Sequence, residues 1–270
     1  MTNQIIITSK QNSVVKQVRK LHRSKERKKQ NLLLLEGNNL IVSSINIGYA
    51  ISYLFCTVKW KERHQQLWQK IIKQKIAVNL ISEEVLTSIS TTVNPDGVLA
   101  IAQRQPKPIP KIENMTLGII VERLQDPGNL GTIIRTSVAT EVDALWLSQD
   151  CVDFDHPKVL RASVGEWFSL PIKTIPDLEQ VILQAKQNGI QIIATVPQSK
   201  QTYWDLDLTR PSLLLIGNEG NGLSPKIQSL ADLQVKIPLA NQVESLNAAI
   251  ATSLILYEVT RQRNLKKPKI

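Results

Sequence analysis

Two polar residues stand where a polar loop gives way to an apolar helix. They are Ser245 and Asn247, in the segment 237–247, and the predicted helix begins at Glu244. The backbone amides at the start of a helix lack partners within the helix and favour an oxygen-bearing ligand. Capping of the helix by Ser245 is a simpler interpretation, but it leaves Asn247 unexplained. The segment is therefore a candidate ligand site.

A second polar pair, Asn129 and Arg135, lies on a predicted helix that the turn Asp126-Pro-Gly opens. Six residues make about 1.7 helical turns, so the two side chains point to different sides of the helix. One side of this helix could therefore contribute to a ligand site, while another side packs against the rest of the protein. Arg135 has apolar neighbours, and a charge in such surroundings needs a partner. Both a structural ion pair and a role in a ligand site are open for it.

A glycine-rich loop follows the apolar segment 212–216, which predicts a central strand. The loop, residues 217–222, reads Gly-Asn-Glu-Gly-Asn-Gly and contains Glu219. Ligands of open α/β sheets bind at the carboxyl ends of strands, where this loop lies. Its spacing is neither the dinucleotide fingerprint nor the P-loop pattern, which disfavours enzymes that use nicotinamide cofactors or nucleoside triphosphates. By itself, the loop is more simply explained as a tight connection.

The composition argues against several classes of protein. The apolar runs are far shorter than the roughly 20 residues that span a bilayer, and the start of the chain lacks the pattern of a signal peptide. Cys56 and Cys151 are far apart and have no His at metal-ligand spacing. Neither a disulfide framework nor a metal site is indicated. We expect a cytoplasmic protein without a metal and without a membrane contact.

Positive charge is concentrated at the two ends of the chain. The net charge is +10, and residues 1–75 hold 15 Lys and Arg against three Glu. Residues 76–260 hold 13 basic and 20 acidic residues, whereas 261–270 hold five basic residues and no acidic one. Contacts of Lys and Arg with phosphates release counterions, so a polyanion bound to the N-terminal region explains the asymmetry. A solvated basic helix explains it equally well.

Alternating helix and strand patterns predict an α/β protein of two domains. Residues 1–103 begin with an amphipathic basic helix from Asn12 or Ser13 and include a single helix over 60–75. Three prolines at alternate positions make 104–115 a stiff linker. In residues 116–270 the alternation resumes and predicts a parallel sheet with helices on both faces.

The order and separation of the three polar segments resemble those of the SpoU (TrmH) family of RNA ribose 2′-O-methyltransferases. Residues 117–262 are similar to the catalytic domain of that family, and residues 1–103 to the L30e-like substrate-binding domain of its longer members. The resemblance implies a deep trefoil knot, in which the chain after about Leu213 passes through an earlier loop. It also implies S-adenosyl-L-methionine as cofactor and a homodimer with the helix of the Asn129 segment and the last helix at its interface.

The resemblance also implies roles for individual residues. Those implied for catalysis are Arg135, Asn129, Glu219, Ser245 and Asn247. Those implied for binding the methyl donor are Thr195, Gly217, Asn218, Gly222, Ile237, Leu239, Ser245 and Leu246. The residues predicted to bind RNA are Lys16, Arg19, Arg23, Lys25, Lys28 and Arg161. The last of these lies in 158–165, which is similar to a family segment that borders the active site.

The chain departs from the family's Ile-Pro-Met-x-Gly pattern at Leu239 and Asn241. Leu keeps an apolar wall, and Asn tolerates a left-handed φ better than most residues.

The implied substrate is 23S-type ribosomal RNA, because the L30e-like domain is typical of ribosomal members; transfer RNA is the alternative. A non-catalytic RNA-binding protein and a dinucleotide-dependent oxidoreductase are the other functions considered. The intact set of catalytic residues argues against the first, and the missing fingerprint against the second.

Overall fold

The computed structural model describes residues 5–241 and 243–266. Its strands are β1 (Ile6–Ile7), β2 (Leu32–Glu36), β3 (Ile51–Cys56), β4 (Ala77–Ile81), β5 (Val98–Gln103), β6 (Leu117–Val121), β7 (Ala144–Ser148), β8 (Ile172–Ile175), β9 (Gln191–Thr195), β10 (Ser212–Ile216) and β11 (Leu233–Val235). Its α-helices are α1 (Ser13–Lys20), α2 (Ser24–Gln30), α3 (Asn38–Asn46), α4 (Val58–Arg63), α5 (Gln65–Lys73), α6 (Glu83–Ile89), α7 (Pro127–Ala139), α8 (Pro157–Ala162), α9 (Leu178–Gln187), α10 (Pro225–Ser229) and α11 (Ala248–Lys266). Within these residues no helix combines the length and apolar character needed to cross a membrane.

Contacts between residues divide the chain into two units. The first comprises the residues up to Gln105 together with Asp153–Phe168. The second comprises Pro106–Val152 together with the residues from Ser169 onward. The division differs from the predicted boundaries in two respects. Residues 153–168, predicted to belong to the second domain, lie in the first unit, and the predicted linker 104–115 is divided between the units after Gln105.

The first unit contains a five-stranded mixed sheet with the order β1-β4-β3-β5-β2. β5 runs antiparallel to β3 and β2, whereas β4 runs parallel to β1 and β3. Side chains alternate between the two faces of a sheet. α1 and α6 cover the face that carries Leu34 and Phe55. Leu33 and Leu54 point to the opposite face, where the buried side chains of α3 and α5 pack.

Buried charges tie the segment 153–168 to the first unit. Arg27, the only buried residue of α2, donates hydrogen bonds to Asp153 (2.5 Å), to Asp155 (3.2 Å) and to the carbonyl of Leu21 (2.9 Å). The sequence does not predict α2, because this helix contains no apolar residue and therefore shows no hydrophobic periodicity. For the same reason, the sequence does not indicate that Arg27 pairs with Asp153 and Asp155.

A second buried ion pair joins β2 to α8 in the same unit. Glu36 is 1% exposed and accepts hydrogen bonds from the amides and hydroxyls of Thr91 and Thr92. Arg161 donates to its carboxylate (2.5 Å) and to the hydroxyl of Thr91 (2.8 Å). Arg161 is thus paired with Glu36 inside the first unit, and its role in RNA binding stays a prediction.

We expect Glu36→Gln to lower the free energy of unfolding by about 3 kcal/mol, since it leaves the Arg161 guanidinium without its counter-charge. Burial acts to raise the pKa of Glu36, but hydrogen bonds from Thr91 and Thr92 and the charge of Arg161 outweigh it and hold the pKa below its ordinary value of 4.5. The stabilisation is therefore present in full above pH 4.5 and is lost as the pH falls below it. Urea denaturation at several pH values measures this difference.

The exposed Glu83 supplies the control for this prediction. Glu83→Gln changes the same charge on the surface of the first unit and is expected to alter the free energy of unfolding by less than about 0.5 kcal/mol. Equal effects of the two substitutions at neutral pH would show that the pair between Glu36 and Arg161 does not stabilise the fold.

The second unit contains a six-stranded sheet with the order β11-β9-β10-β6-β7-β8, in which every pair of neighbours is parallel. The central strands β6, β7 and β10 are buried along their whole length, as expected for a parallel sheet covered on both faces. The predicted parallel α/β architecture of this region is confirmed.

Several elements differ from their predicted bounds. The single helix predicted over 60–75 is two helices, α4 and α5, which meet at His64. β8 was not predicted, because only its two end residues are buried and its pattern is not that of a core strand. The last helix begins at Ala248 instead of Glu244.

Candidate active site

Three segments of the second unit meet at the carboxyl edge of its sheet. Asn129, in the first turn of α7, donates a side-chain hydrogen bond to Glu219 Oε1 (2.6 Å). Asn247, directly before α11, donates one to Asn129 Oδ1 (2.8 Å). These three residues, which we call the Asn-Asn-Glu cluster, join the three polar segments of the sequence through their side chains.

The local sequence explains how the cluster forms. Asp126 caps α7, since its Oδ1 accepts a hydrogen bond from the amide of Asn129 (2.8 Å), and Pro127 is the first helical residue. α7 follows β6, and Glu219 follows β10, the sheet neighbour of β6. Because neighbouring parallel strands end at the same edge, the two segments come together there.

The glycine-rich loop after β10 is a tight turn. Backbone hydrogen bonds join Asn218 and Gly222 in both directions (3.1 and 2.9 Å). Asn218 Oδ1 also accepts hydrogen bonds from the amides of Gly220 (2.8 Å) and Asn221 (3.2 Å). A Cβ at Gly217 would lie 2.2 Å from the carbonyl carbon of Gly222, so only glycine fits that position.

Two charged residues that the sequence analysis did not single out hold this loop in place. The carboxylate of the buried Glu122 accepts hydrogen bonds from the amide and the hydroxyl of Ser224 (both 2.7 Å). Arg123, which has a φ of +59°, donates to the carbonyl of Gly222 (3.3 Å), and its own carbonyl accepts from Asn218 Nδ2 (2.9 Å). Their position directly after β6, at the ligand-binding edge of the sheet, is the signal that could have identified them.

A cavity of about 370 Å³ opens beside the glycine-rich loop, a size typical of small-molecule sites. Residues within 195–198, 216–223, 235–239 and 244–251 contribute most of its walls. All eight residues predicted to bind the methyl donor line it: Thr195, Gly217, Asn218, Gly222, Ile237, Leu239, Ser245 and Leu246. Glu219 lines it too, so the Asn-Asn-Glu cluster reaches the cavity wall.

The two departures from the family pattern fit the loop that borders this cavity. Leu239 keeps an apolar side chain in the wall. Asn241 has a φ of +54°, in the left-handed region that glycine adopts freely and that Asn tolerates better than most residues. Asn241 therefore takes a backbone conformation that a glycine at this position would also adopt.

Asn247, and not Ser245, caps the last helix. Its Oδ1 accepts hydrogen bonds from the amides of Ala249 (2.9 Å) and Ile250 (3.3 Å). The prediction that amides at this terminus face a ligand is wrong for these two amides, because the side chain of Asn247 accepts their hydrogen bonds. Ser245 is exposed and lies on the cavity wall before the helix begins.

Arg135 stands apart from the Asn-Asn-Glu cluster. It is exposed on α7, and it forms neither a hydrogen bond nor an ion pair with any residue that the structure describes. The structural ion pair that the sequence left open is therefore not formed within that part of the chain. A spacing of six residues puts Arg135 about 9 Å farther along the helix axis than Asn129 and on another side. It does not line the cavity.

The cations predicted to bind RNA differ in how free their charges are. Lys16, Arg23 and Lys25 are exposed and pair with no carboxylate among residues 5–241 and 243–266. Arg19 is half-buried and donates to the carbonyl of Lys10. The ammonium group of Lys28 lies 3.8 Å from the carboxylate of Asp153. Three of these five side chains therefore carry a free charge at the surface of the first unit.

The histidines and cysteines do not form a second site. His22, His64 and His156 all belong to the first unit, and each ring nitrogen that makes a contact does so with the backbone. Cys56 and Cys151 are free thiols, and burial raises the pKa of Cys56 to about 12. In the described part of the chain, no group of three or more His, Cys, Asp and Glu residues could hold a metal ion.

Comparison with known proteins gives two family matches. Residues 116–257 match the model of the SpoU rRNA Methylase family. Residues 12–100 match that of an MRM3-like substrate binding domain. Each match lies within one of the two predicted domains.

Individual relatives match over nearly the whole chain. An uncharacterized tRNA/rRNA methyltransferase of Synechocystis sp. is 45% identical over 95% of this chain and 94% of its own length. The 23S rRNA (guanosine(2553)-2′-O)-methyltransferase RlmP of Bacillus subtilis is 29% identical over 94% of this chain and 98% of its own. The structure of an AdoMet-bound rRNA methyltransferase from Sinorhizobium meliloti superposes with a TM-score of 0.81 at 29% identity, covering 95% of this chain and 97% of that one. With the matching family model, these similarities establish that the chain belongs to the SpoU family of RNA methyltransferases.

Proposed function

We propose that this protein transfers the methyl group of S-adenosyl-L-methionine to a ribose 2′-hydroxyl of RNA. The observation that carries the proposal is the meeting of three distant polar segments at one cavity, through the hydrogen bonds of Asn129 with Glu219 and Asn247. The activity named for the Bacillus subtilis relative supports the choice of the ribose hydroxyl as acceptor.

The cavity walls suit this methyl donor. Ile237, Leu239 and Leu246 offer an apolar contact for an adenine ring, and the tight glycine-rich loop brings backbone amides and carbonyls within reach of its edge. Glu219 and Glu244 line the cavity as well, and carboxylates favour the positively charged groups of the donor. When bound, S-adenosyl-L-methionine supplies a methyl group activated by a sulfonium.

The chain's own residues position the acceptor and balance its charge. Methyl transfer to a neutral hydroxyl requires in-line placement and the loss of a proton. A guanidinium stays protonated, so Arg135 holds the target phosphate and polarises the ribose hydroxyl, while a phosphate oxygen or water accepts the proton. Ser245 and the Asn-Asn-Glu cluster orient the ribose.

A homodimer with α11 at its interface forms part of the proposal. Ile250, Leu254 and Tyr257 form an apolar stripe on α11 that is 53%, 40% and 57% exposed. Such a stripe matches the contact face of a partner helix. α7 packs against α11, with the hydroxyls of Thr136 and Ser253 3.1 Å apart. A partner on this face accounts for a free Arg135, because the arginine then serves the partner's site.

We expect Leu254→Arg to convert the dimer into a monomer and to abolish methyl transfer, because a charge would be buried at the centre of the apolar stripe. Sedimentation equilibrium gives the mass, and a filter assay gives the activity. Leu183→Arg, at an apolar residue of α9 with 42% exposure, is the matched control and is expected to change neither. A monomeric wild-type protein that is fully active would contradict the dimer.

The proposal also covers the substrate and the chain path. Ribosomal RNA is favoured as the substrate, because the relatives from Bacillus subtilis and Sinorhizobium meliloti, both named for rRNA, match over nearly the whole chain. The free cations Lys16, Arg23 and Lys25 support binding of a polyanion by the first unit.

The trefoil knot of the family is proposed here too, and the four separate segments in the cavity wall are compatible with it.

Calorimetric titration distinguishes the proposal from its alternatives. We expect S-adenosyl-L-methionine to bind with one site per chain and NAD to show no heat of binding. Leu246, like Thr195, contributes to the cavity wall. Leu246→Asp is expected to weaken binding of the methyl donor by at least about tenfold, because it removes an apolar contact and introduces a charge into the wall. Binding of NAD in place of the methyl donor would refute the assignment.

A further inference from the structure

We infer that the first unit contacts RNA through a second basic surface, formed by α4 and α5 on the sheet face opposite to α1. The inference rests on the proposed function, since it concerns how the same RNA is held. We call the exposed cations Lys59, Arg63, Lys70 and Lys73 the α4–α5 surface. None of these four cations is among the residues that the sequence predicted to bind RNA, which lie between Lys16 and Lys28 and at Arg161.

The α4–α5 surface carries a large charge that the protein does not neutralise. Residues 58–75 contain six Lys and Arg and a single acidic residue, Glu62. The four cations of the surface pair with no carboxylate among the described residues, and the ammonium group of Lys70 contacts only the neutral side chain of Asn46 (3.1 Å). Cations that lie close together repel each other. A polyanion bound at this surface would relieve that repulsion and is therefore favoured.

Buried anchors fix the direction of these cations. Trp60 of α4 is 2% exposed, and Leu67 and Ile71 hold one side of α5 in the core. Lys59 and Arg63 are four residues apart, and Lys70 and Lys73 are three apart, spacings at which side chains are neighbours on a helix surface. The α4–α5 surface therefore offers two adjacent pairs of charges to a chain of phosphates.

The helices α1 and α5, one from each basic surface, lie on opposite sides of the sheet. α1 packs with α6 on the face of Leu34 and Phe55, whereas α5 packs with α3 on the face of Leu33 and Leu54. Each helix layer is about 10 Å thick and packs about 10 Å from the sheet, so roughly 30 Å separates the outer surfaces. A single short stretch of phosphates cannot touch both surfaces.

This separation specifies the kind of RNA that fits. One RNA occupies both surfaces only if it is long enough to pass around the unit, or folded so that two of its strands approach from either side. A short strand fits one surface at a time. The number of short strands bound per chain therefore reports how many basic surfaces the protein presents.

The test compares variants in which four cations are changed to Gln on each surface. The first carries the changes at Lys59, Arg63, Lys70 and Lys73, and the second at Lys16, Lys20, Arg23 and Lys25. A third variant has the same change of net charge on the second unit, at Lys111, Lys173, Lys200 and Arg210. The probes are an oligo-uridine of about eight nucleotides, comparable with the site of a small single-strand-binding domain, and poly-uridine.

Calorimetry is expected to show one fewer oligo-uridine per chain for each of the first two variants than for the wild type, and no change for the third. For poly-uridine, the slope of log affinity against log salt is expected to fall by about 3 in magnitude for the α4–α5 variant, because four contacts contribute about 0.7 each. Donor binding, measured separately, is expected to be unchanged in all three.

An unchanged number of oligo-uridines in the α4–α5 variant, with a loss in the α1–α2 variant, would overturn this inference and leave the proposed function intact. Binding to vesicles of anionic phospholipid that only the α4–α5 variant loses, without a change in RNA binding, would assign the surface to a membrane and also overturn it. A wild-type chain that neither binds RNA nor methylates it would refute the proposed function itself.

Discussion

Replacing Arg135 by alanine is expected to slow methyl transfer by a factor of about 10² to 10³, the usual loss when one charged contact to a reacting group is removed. The donor's affinity is expected to stay near that of the wild type, because Arg135 does not line the cavity. The free energy of unfolding is expected to change by less than about 0.5 kcal/mol, since the side chain is exposed and has no partner in the described chain. Single-turnover transfer of a labelled methyl group, with calorimetry for the donor, measures both effects.

Two further variants test how Arg135 acts. Arg135→Lys keeps the charge without the planar fork, so its rate is expected to fall between those of the wild type and the alanine variant. If Arg135 serves the partner's site, mixing Arg135→Ala chains with Asn129→Ala chains creates one intact site in each mixed dimer. Activity of about a quarter of the wild type is then expected. A mixture as inactive as its components would show that Arg135 acts within its own chain, and near-normal activity of Arg135→Ala would refute its role.

Asn129→Ala is expected to lower the rate of methyl transfer by about 10²-fold, because it removes both hydrogen bonds that connect Glu219 and Asn247. Asn129→Asp is expected to be at least as harmful. Its carboxylate still accepts from Asn247 but cannot donate to Glu219, and two carboxylates then face each other. Rates for both variants, with thermal unfolding to confirm that they fold, test this order.

Thr132 supplies the control for Asn129. It is exposed one turn along α7, and its hydroxyl donates a hydrogen bond to the carbonyl of Gly128 (3.0 Å). Thr132→Ala is expected to leave the rate within about twofold of the wild type. An Asn129→Asp variant more active than Asn129→Ala would mean that the donor bond to Glu219 is not needed, and the cluster would have to be reinterpreted.

The part of the site that the sequence could predict is the part that depends on strand order. Parallel strands end at one edge, so the segments after β6 and β10 had to meet, and Asn129 and Glu219 do so. The residues implied to bind the donor line one cavity for the same reason. The sequence pattern could also indicate the left-handed backbone at Asn241, because glycine stands there in the family.

The features that could not be predicted depend on polar contacts between distant residues. Asn247 caps α11, yet a periodic pattern cannot tell which of several polar residues takes that position. Glu122 and Arg123 hold the glycine-rich loop through contacts about 100 positions away in the chain. Arg27 and Arg161 look like surface cations in the sequence but are committed to ion pairs, which no count of charge reveals.

The most direct test of the proposed reaction is transfer of a labelled methyl group from S-adenosyl-L-methionine to ribosomal RNA from cells that lack this protein, followed by alkaline hydrolysis. A methyl group on the 2′-oxygen removes the nucleophile that cleaves the neighbouring phosphodiester, so the label is predicted to appear in alkali-resistant dinucleotides at a defined position, and to be absent with Arg135→Ala. Label recovered in ordinary mononucleotides, as expected for methylation of a base, or no transfer to any RNA, would contradict the account.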